Sequence, residues 1–500
     1  MSGQRGNNLR LRNTAGWACV ILLCGAGACW AQPAITLSPV SGPPTTWILV
    51  SGSGFAPNAA VDIYFGTHDE ALASTDGSGD FTNIAIRALK TALPGKHWVT
   101  GVARSTGVSA QSPFLVETNW PQAGLLPSHG SSNRYENVLS TSNVGGAGLL
   151  WSYTNGVEES SPAVVNGVVY VGSTEDFSVY ALKASTGALL WSYFIGNAVR
   201  SSPAVANGVV YVGSDDNNVY ALDASTGALV WSFTTGNAVE FSPTVANGVV
   251  YVGSTDSTVY ALNASNGALL WSFTTGGPMV SPAVANGVVY VGSYDNTVYA
   301  LAASNGFLLW RYTTGNSVAA PPAVVNGVVY IGSEDNNVYA LNASDGILLW
   351  SFTTGSLVHS APAVADGVVY VSSEDNNVYA LSASSGALLW LYTTGGSVFS
   401  SPAVANGVVY VGSDDFNVYA LDASYGALLW RYATSDSVIS SPVVANGVAY
   451  VGSSDENVYA FGLPPAGGTE RPAEPPAVSS LKPDFSLRPA QPVAPGSDRN

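Results

Sequence analysis

The chain has 500 residues, more than one hydrophobic core usually supports, so several domains or a repeat array are expected. Charged residues make up only 10% of the chain, and 16 Lys and Arg against 33 Asp and Glu give a net charge of −17. This charge disfavours contact with phosphate backbones, so no nucleic-acid partner is predicted. The 47% of hydrophobic residues excludes a chain that is disordered throughout.

Residues 1–31 are typical of a secretory signal peptide. Basic residues up to Arg12 precede the apolar run Trp17–Ala28, and small residues lead to a cleavage site near Ala31. The run is too short to cross ~30 Å of hydrocarbon, which favours cleavage over a membrane anchor. We therefore predict an exported protein without a transmembrane span in the mature chain, located in the periplasm, at the outer membrane or at the cell surface.

All three cysteines, Cys19, Cys24 and Cys29, lie in this first segment. A chain cleaved beyond them keeps no cysteine, and it must hold its fold without disulfides. The residues before Cys29 resemble a bacterial lipobox in which Ala26 replaces the usual Leu. A lipid anchor at Cys29 therefore stays open as an alternative.

Residues 34–118 contain strand-like runs separated by Gly, Pro and Asn turn signals, such as Val61–Phe65 and His97–Thr100. The stretches Gly52–Asn58 and Pro94–His97 resemble bacterial immunoglobulin-like domains of the IPT/TIG type, and this resemblance implies a β-sandwich. Residues 119–147 are rich in Gly, Ser and Asn and are predicted as a linker. Residues 463–500 are rich in Pro and are predicted as a disordered tail.

Residues 148–462 form a repeat. Eight tryptophans follow one another at intervals of 40 residues, with one interval of 39: Trp151, Trp191, Trp231, Trp271, Trp310, Trp350, Trp390 and Trp430. Each copy holds four short strand-like runs, with Asn-Gly, or Asp366-Gly367 in one copy, between the first two. This period predicts an all-β fold, an eight-bladed β-propeller of four-stranded blades. The last copy lacks a fourth strand, so residues 148–154 are predicted to complete it and close the ring.

The string Ala221–Trp231 resembles the repeat of the quinoprotein (PQQ-like) propeller superfamily. The resemblance implies that the eight tryptophans dock each blade against its neighbour. Enzymes of this superfamily hold pyrroloquinoline quinone and Ca²⁺, typically with a vicinal cysteine pair. Because no cysteine follows residue 29 and no enzyme ligand position can be matched, the chain is similar instead to the non-enzymatic branch, which includes the lipoprotein of the outer-membrane barrel-assembly machine.

Acidic residues concentrate in the repeat, which has 22 acidic and four basic residues. Each turn between the second and third strand carries an Asp, interpreted as an acceptor of backbone N–H bonds rather than as a cation site. Several of these turns add a second acid: Glu175, Asp215, Glu334, Glu374, Asp414 and Glu456. The face that bears these turns should therefore be acidic, for solubility or for a basic partner.

Copies differ at the position three residues before the proline of the first strand. Glu159, Arg200 and Glu240 occupy it in consecutive copies and are predicted to form an ion-pair triplet, with His359 about four blades from Arg200. These four residues are the candidate binding rim at the channel mouth. The alternative is a variable loop position with a local salt bridge.

From these features we predict a monomeric, exported, non-enzymatic propeller without cofactor, metal or catalytic residues. It would act as a binding or scaffold protein of the cell envelope, with a protein partner that presents a basic or cationic surface. A divergent PQQ-dependent dehydrogenase and a surface adhesion or glycan-binding protein are the alternatives.

Overall fold

The computed structural model describes residues 32–464 except 155 and 157, together with residues 481, 482 and 486. The predicted signal peptide, Cys29 and almost all of the predicted tail lie outside the described residues. Within the described part, no helix has the length and apolar character needed to cross a membrane. The regular structure of the described residues is β, apart from one short 3₁₀ turn, Val144–Gly146.

The N-terminal module consists of two sheets around a common core. A three-stranded sheet has the order β1-β3-β6, and a five-stranded sheet has the order β2-β8-β7-β4-β5, once the strands are numbered along the chain. Their bounds are β1 Ala34–Ser38, β2 Ser41–Gly42, β3 Trp47–Ser53, β4 Ala60–Phe65, β5 His68–Ser74, β6 Phe81–Arg87, β7 Gly95–Ala103 and β8 Ser109–Val116. Side chains from both sheets, including Ile48, Ile63 and Phe114, are fully buried together. The assignment of this module as immunoglobulin-like stays a prediction.

The repeat region forms antiparallel sheets, which we call blades, each with strands A to D from the channel outwards. In blade 7 a fifth strand, β9 (Ser132–Asn133), pairs parallel with strand A. Strand A of blades 1 to 8 spans Ala163–Val165, Ala204–Ala206, Thr244–Ala246, Ala283–Ala285, Ala323–Val325, Ala363–Ala365, Ala403–Ala405 and Val443–Ala445. Strand B spans Val168–Gly172, Val209–Gly213, Val249–Gly253, Val288–Ser293, Val328–Gly332, Val368–Ser372, Val408–Gly412 and Val448–Ser453.

Strands C and D complete each blade. Strand C spans Ser178–Lys183, Asn218–Asp223, Thr258–Asn263, Thr297–Ala302, Asn337–Asn342, Asn377–Ser382, Asn417–Asp422 and Asn457–Gly462. Strand D of blades 1 to 7 spans Leu189–Phe194, Leu229–Thr234, Leu269–Thr274, Leu308–Thr313, Leu348–Thr353, Leu388–Thr393 and Leu428–Ala433. Gly148–Thr154 supplies strand D of blade 8 by pairing with its strand C, Asn457–Gly462. This is the closing pairing that the sequence predicts.

The A–B hairpins have the turn geometry that their Asn-Gly pairs predict. Asn207 and Gly208 have φ of 51° and 77°, so both central residues are left-handed, as a two-residue hairpin of this type requires. Ala204 and Val205 of strand A are buried between neighbouring blades, as are Val210 and Val212 of strand B.

The repeated tryptophan joins each blade to the next. The Trp191 indole N–H donates to the Ala224 carbonyl of blade 2 at 2.9 Å, and the Tyr170 hydroxyl donates to the same oxygen at 3.1 Å. A Cβ at Gly227 of that C–D turn would lie 2.6 Å from the Trp191 ring. Glycine is therefore required where the indole packs on the neighbouring turn, and the same contact recurs around the ring. At the seam, Trp151 donates to Ala184 and Trp430 donates to Ala147.

Candidate functional site

The central channel is filled at one end by residues 119–133, which we call the plug. Trp120 pairs with Val164 of strand A in blade 1 through both backbone hydrogen bonds, at 2.7 and 2.8 Å. The plug then contacts the strand A valines of blades 2 to 7 in order, through Pro121, Gln122, Pro127, Ser128, Gly130 and Ser131. Finally, the Asn133 amide donates to the Val444 carbonyl of blade 8 at 2.8 Å.

The composition of residues 119–147 predicts this segment as part of a linker. The structure corrects that view, because the segment lies inside the ring and contacts every blade. Leu126, Pro127 and Ser128 lie beside the A–B turn residues Asn247 and Asn286, so the plug occupies the end of the channel where the A–B turns lie.

Two large plug side chains are buried. Trp120 is 2% exposed and His129 is 1% exposed. The His129 Nε2 forms a hydrogen bond with Thr244 Oγ1 over 2.9 Å, and Thr244 Oγ1 also lies 2.6 Å from the Pro282 carbonyl oxygen. Burial lowers the pKa of His129 to about 4, and the ring is neutral at physiological pH.

A ring of serine hydroxyls lies on the other side of the plug. In six of the eight blades, the residue that precedes the strand A proline donates its backbone N–H to the serine hydroxyl oxygen of the next blade, at 2.8–3.0 Å. The donor and acceptor pairs are 161–202, 202–242, 242–281, 361–401, 401–441 and 441–161. The other two links lack a partner. Pro321 offers no hydroxyl to the Ser281 N–H, and it has no N–H to donate to the next blade, where Ala361 replaces serine.

The plug and the serine ring enclose a chamber of about 110 Å³. Trp120, His129, Ser161 and Ser202 are among its lining residues. The Trp120 indole N–H has no acceptor within the described part of the chain. A chamber of this size, with serine hydroxyls in its lining, has room for several ordered waters, which would satisfy that donor.

The opposite end of the channel, which we call the mouth, carries the candidate rim residues on the face of the D–A loops and B–C turns. Arg200 forms ion pairs with Glu159 and with Asp215, the latter at 3.0 Å between Nε and Oδ2. Arg200 and Glu159 are each 37% exposed. The pKa of Arg200 is raised: burial lowers it, but the combined effect of the two carboxylates is larger.

The predicted triplet with Glu240 is wrong. Within the described residues, Arg200 pairs with Asp215 from the B–C turn of its own blade, and Glu240 makes no ion pair with it. Asp215 reaches Arg200 because the B–C turn and the D–A loop lie side by side on this face. Burial raises the pKa of Glu240, with Asp215 and Glu159 adding to the effect and Arg200 opposing it.

His359 lies between two carboxylates in another sector of the mouth. Its Nε2 is 3.0 Å from Glu334 Oε1, and its Nδ1 is 2.8 Å from Glu374 Oε1. The ring also stacks on Phe399 with 6.0 Å between centroids.

Other acids at the mouth repel one another. Burial raises the pKa of Glu158, and the neighbouring Glu175 and Glu159 raise it further. Burial also raises the pKa of Asp414, with contributions from Glu374 and Asp436. The mouth therefore carries an excess of negative charge. Arg200 and His359 lie within it, and each contacts two carboxylates.

The repeated turn aspartates serve the architecture. Asp256 Oδ1 accepts the Thr258 N–H, and Oδ2 accepts the Tyr260 hydroxyl at 2.6 Å and the Gly236 N–H at 2.7 Å. All eight turn aspartates accept the hydroxyl of a strand C tyrosine, and six of them also accept a backbone N–H of the preceding D–A loop. This confirms the interpretation of these residues as backbone acceptors. The described residues include no group of three or more His, Cys, Asp or Glu side chains placed to hold a metal ion.

Antiparallel four-stranded sheets around a central channel define a β-propeller, which confirms the predicted all-β class. The family model described as "Outer membrane protein assembly factor BamB" matches residues 136–241, 236–320, 308–400 and 393–463, about two thirds of the chain. The chain therefore belongs to this family. The solved structure of BamB from Moraxella catarrhalis is similar over 63% of this chain and 99% of that one, with a TM-score of 0.57 and 19% identity.

Dehydrogenases are also similar to this chain. The dehydrogenase subunit of the quinone alcohol dehydrogenase of Gluconobacter oxydans (strain 621H) is 44% identical over 68 residues, which are 13% of this chain and 9% of that subunit. The quinohemoprotein alcohol dehydrogenase from Comamonas testosteroni has the same fold over 71% of this chain and 82% of that one, with a TM-score of 0.60 and 18% identity. These similarities to enzymes contradict the prediction that the chain is not an enzyme, and we correct that prediction.

Proposed function

We propose that this chain is a cell-envelope protein whose propeller, an eight-bladed ring, binds a basic segment of a protein partner at its mouth. The observation that carries the proposal is the difference between the two channel ends: the plug fills one, and the other presents closely spaced carboxylates. The membership in the assembly-factor family supports a role in protein interaction at the envelope.

The raised pKa values of Glu158, Glu240 and Asp414 are the physical reason to expect that the mouth binds a cationic segment. Burial and mutual repulsion disfavour their ionised forms, so a bound cation relieves an existing cost. A cationic segment prefers the ionised carboxylates, and its affinity should fall as the pH drops through their raised pKa values. Steering by these exposed charges weakens beyond ~8–10 Å at physiological salt, so association should also slow as salt rises.

The mouth is asymmetric, which allows one orientation of the partner to be selected. Arg200 with its two acids lies in blades 1 and 2, whereas His359 with its two acids and Phe399 lies in blades 5 to 7. The outer D strands cannot give such discrimination, because their sequences are nearly the same in every blade.

The test uses a fluorescent oligolysine peptide as the probe, measured by anisotropy on the full chain. The double variant Glu334→Gln/Glu374→Gln should weaken binding about tenfold or more, since it removes two facing charges. Arg200→Glu should strengthen binding, because it adds negative charge to the mouth. The matched control is Asp345→Asn/Asp422→Asn, which removes two carboxylates from C–D turns at the other end of the ring. If the control weakens binding as much as the mouth variant, the mouth is not the site.

A second candidate function is a quinone-dependent dehydrogenase, favoured by the 44% identity to the alcohol dehydrogenase subunit. Pyrroloquinoline quinone is a planar tricarboxylate, and the mouth residues do not fit it. They are mostly carboxylates, and Arg200 is already paired with Glu159 and Asp215. Dye-linked oxidation of alcohols after addition of the quinone and Ca²⁺ tests this candidate. Turnover that rises in proportion to bound quinone would support this candidate. Turnover at background level would contradict it, and the similarity to the dehydrogenases would then be one of fold.

A further inference from the structure

A second charged cleft lies between the N-terminal module and the A–B turns of blades 6 and 7. It has a volume of about 1040 Å³, at the upper end of the ~300–1,000 Å³ usual for ligand sites. Both parts of the molecule line it, with Thr45, Lys90 and Thr91 on one side and Asn406 and Gly407 on the other. It lies on the face opposite the mouth.

Three cations point to the chemistry of this cleft. Arg87, Lys90 and Arg134 line it, and all three are exposed. Within the part of the chain that the structure describes, none of them forms an ion pair with a carboxylate. Exposed cations without ion pairs are notable in a chain with a net charge of −17.

The two guanidinium groups are held in place by neutral partners. Arg87 Nε donates to the Thr45 carbonyl at 2.9 Å, and its guanidinium lies 5.5 Å from the Trp47 ring centroid. Arg134 donates to the Tyr135 hydroxyl at 3.1 Å and lies 5.0 Å from that ring centroid. Side chains ordered in advance lose less conformational freedom on binding, which favours affinity.

The acids of the cleft do not cancel this charge. Glu136 is buried, and its two carboxylate oxygens accept the backbone N–H groups of Val138, Leu139 and Gly447. Asp366 is exposed in the A–B turn of blade 6 and is the remaining acid of the lining. The exposed charge of the cleft is therefore positive.

We propose that this cleft binds a ligand that carries two or more phosphate or carboxylate groups. Arginine forks recognise such oxyanions through paired hydrogen bonds, and a lysine adds a mobile point charge. Hydroxyl and amide groups from Thr45, Thr91 and Asn406 line the same space and can donate to further oxygens. The ligand would bridge the N-terminal module and the ring.

Calorimetry on the full chain tests this inference with tripolyphosphate and citrate as probes. Vesicles of phosphatidylglycerol, compared with phosphatidylcholine, form a third arm that distinguishes a lipid headgroup from a free anion. The variant Lys90→Gln/Arg134→Gln should weaken binding about tenfold or more, and higher salt should weaken it further. Lys183→Gln/Arg311→Gln is the matched control, because it removes two cations from the blades.

Binding that is lost in the cleft variant and kept in the control supports the proposal. Absence of binding for all three probes, or equal loss in both double variants, overturns it. Thermal unfolding of each variant shows whether the fold is kept. Arg200→Glu should leave this binding unchanged, so the outcome is independent of the function proposed for the mouth.

Discussion

The two ends of the channel are built on the same eight strands A, yet they differ in almost every physical respect. At the plugged end, hydrogen bonds from a single segment reach every blade, six through its backbone and two through the Gln122 and Asn133 side chains, and the buried His129 is neutral. At the mouth, side chains from loops that vary between copies carry charge, and burial with mutual repulsion raises the pKa of acids such as Glu240. The repeated strands are the same at both ends. The plug at one end, and the loop positions that vary between copies at the other, make the two ends different.

Removal of the plug should abolish the difference between the ends and have the largest effect on stability. A chain that starts at residue 135 should lose about 5 kcal/mol or more relative to one that starts at 119, because Trp120 burial and hydrogen bonds to the blades disappear. Chemical unfolding of both truncated chains measures the loss. Equal stability of the two would contradict a structural role for the plug.

The ends should also respond to pH with opposite signs. The pKa of His129 is lowered to about 4 in the folded chain, so the unfolded chain takes up the proton first as the pH falls below its ordinary value of 6.5. This single group should lower the free energy of unfolding by about 3 kcal/mol between pH 6.5 and 4. The pKa of Glu240 is raised in the folded chain, so its contribution makes the protein more stable as the pH falls.

Urea unfolding at several pH values separates these contributions. His129→Asn should reduce the loss of stability on acidification, and Glu240→Gln should make that loss steeper. Parallel pH profiles for the parent chain and both variants would show that neither end titrates in this way.

The contacts between blades contribute to stability independently of the two channel ends, and glycine substitutions measure that contribution. Gly227 and Gly208 have φ of 73° and 77°, so alanine is strained at both positions. Only at Gly227 does a ring, that of Trp191, lie 2.6 Å from the new Cβ, whereas Gly208 faces open space. Gly208→Ala should cost ~1 kcal/mol and Gly227→Ala ~2–4 kcal/mol, measured by thermal unfolding. The reverse order would contradict the packing of the indole on the turn.

The smallest effect is expected at the serine ring between the two ends. Ser401→Ala removes the acceptor of the Ala361 N–H and should cost about 1 kcal/mol. Ala361→Ser adds a hydroxyl beside Pro321, which has no N–H to donate, so no hydrogen bond of this kind is gained and stability should change little. Similar destabilisation by the two changes would show that packing, and not the hydrogen bond, dominates at this position.

The repeat made most of the fold predictable. The tryptophan interval, the Asn-Gly pairs and the missing last strand predict the sheets, the hairpins and the closing pair formed by Gly148–Thr154. The plug was missed because it occurs once and contacts the blades mainly through its backbone, which leaves no side-chain pattern. Trp120 and His129, large residues in a segment of small ones, were the available signal.

The mouth was predictable in composition and less so in pairing. Asp215, Glu334 and Glu374 were noted as second acids of their turns, but their contacts with Arg200 and His359 depend on how each turn approaches the loop beside it. Sequence spacing places Glu159, Arg200 and Glu240 on successive blades. It does not specify which carboxylate is near enough to pair with the guanidinium.

The order of the plug contacts has a consequence for how this ring can change in size. The plug contacts the blades in chain order, from Trp120 on blade 1 to Asn133 on blade 8, so the length of the plug matches the number of blades. An added blade would have no plug residue to contact, and the loss of a blade would leave one plug residue without its partner. Gain or loss of a repeat, which is simple for the gene, therefore requires a matching change in a short stretch of chain outside the repeats.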